Sequence, residues 1–152
     1  MPRFALFIIC ILVSFLPSLS AVVVRPDGWY QQLVKPVGNP PPWVFGPVWT
    51  TLYLLIGIAA YLALKTSAPK SILALFTAHL ILNTAWSLIF FGAHQPLLAL
   101  VDILLLDGTV ALLIFQLWSL NRPAALCLLP YQLWILYATY LNTGIVLLNK
   151  TP

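Results

Sequence analysis

Five apolar stretches dominate this sequence, over residues 4–24, 45–64, 72–91, 97–120 and 124–148. A helix needs about 20 apolar residues to cross a hydrocarbon core near 30 Å, and every stretch reaches that length. Inside lipid the backbone must satisfy its own amides, which a helix does within one segment. The sequence therefore reads as an all-α membrane protein, a single bundle of five transmembrane helices. Residues 1–152 form one domain in this reading, with a loop over 25–44 and short connections after the second span. With connections this short, neighbouring helices must be antiparallel in a single bundle. No internal repeat is visible, which argues against an inverted-repeat transporter.

Composition excludes the competing class. Hydrophobic residues are 62% of the chain and charged residues 7%, with mean hydropathy +1.00. A soluble domain carries roughly 25% charged residues, so this chain could not clothe a water-facing surface. The net charge of +4 comes from Arg3, Arg25, Lys35, Lys65, Lys70, Arg122 and Lys150 against three acids. These basic residues stand singly near the ends of apolar stretches, where headgroups lie. No basic stripe follows a phosphate backbone, so nucleic acid is not a partner. With alternating sides, Arg3, Lys65, Lys70 and Arg122 share one face of the membrane and Arg25, Lys35 and Lys150 the other. That near-balance selects no orientation. Cys10 and Cys127 form no CxxC, disulfide framework or zinc site.

The first stretch competes with a cleaved leader, because Pro17-Ser18-Leu19-Ser20-Ala21 resembles a cleavage region. A leader's apolar core is about 7–15 residues, and this one is longer, so a retained helix is expected. Residues 29–43 are expected to be non-helical, given Lys35-Pro36, Gly38-Asn39 and Pro40-Pro41-Pro42. Trp29, Tyr30 and Trp43 would anchor that loop at the interface. Pro47 suits the first turn of the second span. Pro130 implies a kink or a late start in the fifth.

Polar residues inside spans carry the functional information, because lipid penalises them. His79, Asn83, Trp86 and Phe90 share one helical face, and that face should turn into the bundle. Trp49, Tyr53 and Gly57 share a face of the second span, and Tyr131, Trp134, Ala138 and Asn142 one of the fifth. Such faces can line a pocket for a flat apolar ligand, or form a packed polar seam. Asp102 and Asp107 are five residues apart, roughly 140° around a helix, so they are not a shared-proton dyad. Each is either a ligand or proton site or an interhelical hydrogen-bond partner. His79 and His94 are the only imidazoles available as haem ligands. No CxxCH, HExxH, phosphate loop, dinucleotide fingerprint or nucleophile–base pair occurs, and no metal site is expected.

A series of landmarks runs through nearly the whole chain. It comprises Pro17-Ser18-Leu19; Trp29-Tyr30-x-x-Leu33-x-Lys35-Pro36; Pro40-Pro41; and Gly46-Pro47-Val48-Trp49-x-x-Leu52-Tyr53. Then follow Asn83-x-Ala85-Trp86, Phe90-Phe91-Gly92-Ala93-x-Gln95, Ala99-Leu100-Val101-Asp102, Pro130-Tyr131-x-x-Trp134 and Ala138-Thr139-x-Leu141-Asn142. In order and together they resemble the tryptophan-rich sensory protein / translocator protein family, also called the peripheral benzodiazepine receptor family.

The resemblance implies a five-helix bundle, often a homodimer, with Ala74 and Ala78 as a small-residue dimer face. It implies a pocket for porphyrin or haem as ligand, with no obligatory cofactor, and in some members for drugs or sterols. The 25–44 loop would be the lid of that pocket. Carried over residue by residue, the ligand-binding set is Tyr30, Trp49, Tyr53, Asn83, Trp86, Phe90, Trp134 and Ala138, with Lys35 or Arg25 pairing propionates. The implied role is a membrane receptor or carrier for tetrapyrroles in transport, sensing or tetrapyrrole regulation. The alternatives are light- and oxygen-dependent porphyrin degradation through Trp49 and Trp134, and a sterol- or drug-binding regulatory scaffold. The implied location is a bacterial cell membrane or an organelle membrane. Two features depart from the family: Gly38 stands where a tryptophan usually follows Lys-Pro, and Tyr140 and Lys150 are too far apart for the sterol pattern of the last helix.

Overall fold

A computed structural model describes residues 3–26, 28–66 and 68–149. Asp27, Ser67 and Lys150, which entered the readings of the loops and of orientation, lie outside the described residues. Among the described residues, five helical segments are long and apolar enough to cross a membrane: Arg3–Val23, Pro42–Lys65, Lys70–Gly92, Pro96–Leu120 and Arg122–Leu148.

The first span is not one continuous α-helix. Helix α1 (Arg3–Ser14) gives way to a 3-10 turn over Leu16–Leu19, and α2 (Ser20–Val23) completes the crossing. Pro17 causes the break, because its nitrogen cannot donate and its ring crowds the preceding turn. Serine hydroxyls take up the carbonyls this loosens: Ser18 donates to Phe15 O at 2.6 Å and Ser20 to Pro17 O at 2.7 Å.

The loop also departs from expectation. A short helix, α3 (Gly28–Gln32), forms ahead of its prolines, and a 3-10 turn covers Pro42–Val44. The prolines begin only at position 36, so nothing in Trp29–Gln32 opposes one helical turn.

Helix α4 (Phe45–Lys65) carries Pro47 in its first turn, and α5 (Lys70–Ser87) continues into a π-turn over Leu88–Gly92. His94, at φ 54°, then ends that span in the left-handed region, with Gln95 N donating to Ile89 O at 3.1 Å. Helix α6 (Pro96–Leu120) and α7 (Arg122–Leu148) both begin with proline in the first turn, where no amide is needed. Asn121 caps α7 by accepting from Ala124 N at 3.1 Å. Pro130 neither delays nor divides α7, which runs unbroken past it.

Helix α1 lies along α4, α4 along α7, α7 along α6 and α6 along α5, while the broken end of the first span meets α5. The spans thus close a ring around one interior. Lipid offers no hydrophobic drive between helices, so close packing of small residues must supply the attraction. A Cβ on Gly57 would stand 2.9 Å from Ile11 Cα, so α1 and α4 touch backbone to backbone. Ser14 seals that crossing by donating to Tyr53 O at 2.7 Å. Ala59, Ala63, Ala124 and Ala125 are fully buried, whereas Phe4, Leu105, Phe115 and Leu133 are exposed on the outside. That inverted surface suits acyl chains rather than water.

Candidate ligand-binding site

One amide joins three helices at the centre of the bundle. Asn83 Oδ1 on α5 accepts from the Tyr53 hydroxyl of α4 at 3.1 Å, and Asn83 Nδ2 donates to the Tyr131 hydroxyl of α7 at 3.1 Å. All three side chains are buried. Buried polar groups in lipid must find partners within the protein, and this asparagine satisfies two hydroxyls at once.

An aromatic group stands on that network. Trp49 stacks on Tyr53 at 5.2 Å between ring centres and meets Trp134 edge-on at 6.5 Å and Tyr131 at 6.3 Å. Phe45 and Tyr137 flank Trp134 at 6.0 and 5.6 Å. Ala138 packs against the same core. A second group lies toward the loop. Trp86 stacks on Phe90 at 5.0 Å, and Phe90 meets Tyr30 at 6.2 Å and Trp29 at 5.8 Å. Trp86 belongs to both groups. Its indole nitrogen donates to Asn142 Oδ1 at 3.0 Å, and Asn142 Nδ2 donates to Pro96 O at 2.8 Å. The predicted set therefore gathers around one interior as two aromatic groups bridged by Trp86.

The loop is fastened to α7. Val34 N donates to Asn149 Oδ1 at 2.8 Å, and Asn149 Nδ2 returns a bond to Val34 O at 2.9 Å. Tyr140 donates to Val37 O at 2.9 Å, and Tyr137 donates to Gly38 O. Gly38 has φ 87°, and Asn39 N donates to Pro36 O at 3.3 Å, closing a tight turn. A left-handed third residue suits glycine; tryptophan at position 38 would be strained in this turn. Glycine at position 38 thus serves the turn itself.

Lys35 Nζ lies 4.6 Å from the Tyr30 ring centre and donates to Leu33 O at 3.3 Å. Tyr30 donates to Asn39 Oδ1 at 3.4 Å. Burial pushes the Tyr30 phenol above its usual range, partly opposed by the Asn39 bond. Arg25 is exposed in the loop.

The remaining candidates lie elsewhere. His79 is fully buried between Phe76 and Tyr131, at 5.7 and 5.6 Å, with both nitrogens enclosed and without a hydrogen-bond partner. His94 is exposed and stacks on Trp29 at 4.3 Å. Asp107 accepts from Gln132 Nε2 at 3.0 Å and Thr139 Oγ1 at 2.7 Å, so it bonds α6 to α7. Ala74 and Ala78 stay at the outer side of α5.

The ligand set carried over from the resemblance left out Tyr131 and Asn142, which helical spacing already places on the α7 face of Trp134 and Ala138 and which the structure bonds to Asn83 and Trp86. Asn149 and Gly144, which hold the loop, give no periodic cue.

The model of the TspO/MBR family matches residues 6–148. The chain is similar to the tryptophan-rich protein TspO of Chlorobaculum tepidum, 40% identical over 146 residues, covering 93% of this chain and 91% of that protein. It is similar to the translocator protein of Homo sapiens, 44% identical over 137 residues, covering 83% and 81%. The tryptophan-rich sensory protein of Cereibacter sphaeroides is 34% identical over 145 residues, covering 95% and 92%.

Proposed function

This chain belongs to the TspO/MBR family, and on that premise we propose that it binds tetrapyrroles such as haem and protoporphyrin, and similar flat apolar molecules, between its spans. It is a multi-pass membrane protein. The proposed task is transport or sensing of such a ligand, in keeping with relatives named translocator protein and tryptophan-rich sensory protein.

The observation that carries this reading is the Trp49, Tyr53 and Trp134 group, joined through Tyr137 to the fastened loop. Trp49 and Trp134 stand nearly perpendicular, at 87°. Flat conjugated rings gain most from stacked and edge-on contacts of this kind. The supporting polar groups are already paired with one another, so orientation of a ligand would come from shape and from the loop. Lys35 and Arg25 supply positive charge at the loop for a ligand's carboxylates.

The test is titration of the detergent-solubilised chain with protoporphyrin, read by the porphyrin's own absorption shift. The double variant Trp49→Phe with Trp134→Phe is expected to weaken binding about tenfold, near 1.4 kcal/mol. Unchanged affinity in a folded double variant would remove the site assignment.

A further inference from the structure

Asp107 presents a problem that the ligand site does not solve. It lies in the middle of α6, 9% exposed, and its two oxygens accept only neutral donors, Gln132 Nε2 and Thr139 Oγ1. The described lysines and arginines all stand in loops or at span ends. An uncompensated carboxylate at that depth costs several kcal/mol. The neighbouring ionisable groups do not offset it. Asp102 on the same helix is another acid, Tyr131 of α7 is tied to Asn83, and His79 of α5 lies against Tyr131.

A second feature belongs to the same amide. Gln132 Oε1 is buried and has no hydrogen-bond partner. A half-turn of the amide exchanges Oε1 with Nε2. As observed, Nε2 faces Asp107 and the orphaned oxygen faces away. After the half-turn, Oε1 would face Asp107 Oδ1, and two acceptors would repel unless a positive species lay between them.

We propose that Asp107, Gln132 and Thr139 form a site for one small monovalent cation, a proton or a sodium ion, in the seam between α6 and α7. The donors are all hard oxygens: a carboxylate, an amide carbonyl and a hydroxyl. One negative charge meets one positive charge, and the occupied site is neutral in hydrocarbon. A divalent ion would leave a net positive charge in the site. Binding is coupled to the amide: empty, Gln132 donates to the carboxylate; occupied, its oxygen joins the cation and Nε2 takes the place of the orphan. The site stands apart from the aromatic interior, on the α7 face that carries Gln132 and Thr139.

The experiment uses the full chain in uncharged-lipid nanodiscs with isotope-labelled aspartate, read by infrared spectroscopy, and by unfolding temperature with sodium against a bulky organic cation. A proton in the site gives a protonated-carboxyl band at neutral pH that is lost in Asp107→Asn. A sodium ion gives a shifted carboxylate band and a sodium-dependent rise in unfolding temperature, both lost in Asp107→Asn and reduced in Gln132→Leu. The wild-type chain decides the matter even if a variant does not fold. An ionised carboxylate indifferent to sodium would overturn the proposal, as would a band or sodium response that survives Asp107→Asn.

Discussion

The ring of Pro36 rests on the backbone of Gly144: a Cβ at that glycine would stand 2.6 Å from Pro36 Cβ and 2.8 Å from Pro36 Cγ. A proline ring is stiff, so no flexible side chain can give way. Gly144→Ala is therefore expected to lift the loop rather than disturb α7. Overpacking of this kind costs about 1–3 kcal/mol, which here falls on loop closure. Limited proteolysis within residues 33–40 should speed up while the unfolding temperature of the bundle changes little. Equal protection of the loop in both proteins would contradict the contact.

Asn149 closes the same loop through two reciprocal bonds with Val34. Each such bond contributes about 0.5–1.5 kcal/mol net, and this pair is exposed to water. Asn149→Ala is expected to raise amide exchange at Val34 and to hasten both entry and loss of a bound porphyrin. Stopped-flow absorption reads the rates. Faster exchange with unchanged rates would mean that the loop does not gate the interior.

The Tyr30 phenol gives the loop a pH dependence. Burial raises its folded value above the ordinary tyrosine range, so the folded loop holds that proton more tightly than the unfolded chain does. The stabilisation is complete below about pH 10, the ordinary tyrosine value, and fades as pH climbs through the raised value. Alkaline titration of loop proteolysis should show this fading in the wild type and not in Tyr30→Phe.

Asn83 has a structural debt to two tyrosines. Asn83→Leu leaves the Tyr53 and Tyr131 hydroxyls buried without their shared partner, at a cost of about 1–3 kcal/mol for each group stranded. The unfolding temperature in detergent is expected to fall. Adding Tyr53→Phe should recover part of the loss, because one stranded hydroxyl disappears. No recovery would show that Asn83 matters for packing alone.

The α1–α4 crossing depends on Gly57. A methyl there would meet Ile11 Cδ1 at 2.6 Å and the Ile11 backbone at 2.9 Å. Gly57→Ala should cost about 1–3 kcal/mol, and Gly57→Leu should detach the first span from the bundle. Accessibility of Cys10, buried in the wild type, to a membrane-permeant thiol reagent would report it. Unaltered labelling would argue against the close crossing.

Much of this fold was legible because lipid makes one demand on every residue. Five runs without paired charges could only be helices crossing a bilayer, and the polar or aromatic faces of the third, second and fifth spans had to turn inward together. Where a local rule competed with this demand, the reading slipped. Pro17 broke the first span although that stretch carries no charge, while Pro130 left α7, packed against α4 and α6, continuous. Trp29–Gln32 formed a helical turn that the prolines downstream do not forbid.

The sequence by itself determined the solvent, the number of crossings and the faces that carry Trp49, Asn83, Trp86 and Trp134, since those follow from hydropathy and a 3.6-residue period. Only the tertiary structure decided that Asn83 bonds two tyrosines, that Trp86 bonds Asn142, that Pro36 lies on Gly144 and that Asp107 meets Gln132 and Thr139. These pairings, like that of Val34 with Asn149, join distant segments, the last of them 115 positions apart. Their partners are chosen by the rotation and height of each helix in the ring, quantities that no single stretch of residues contains.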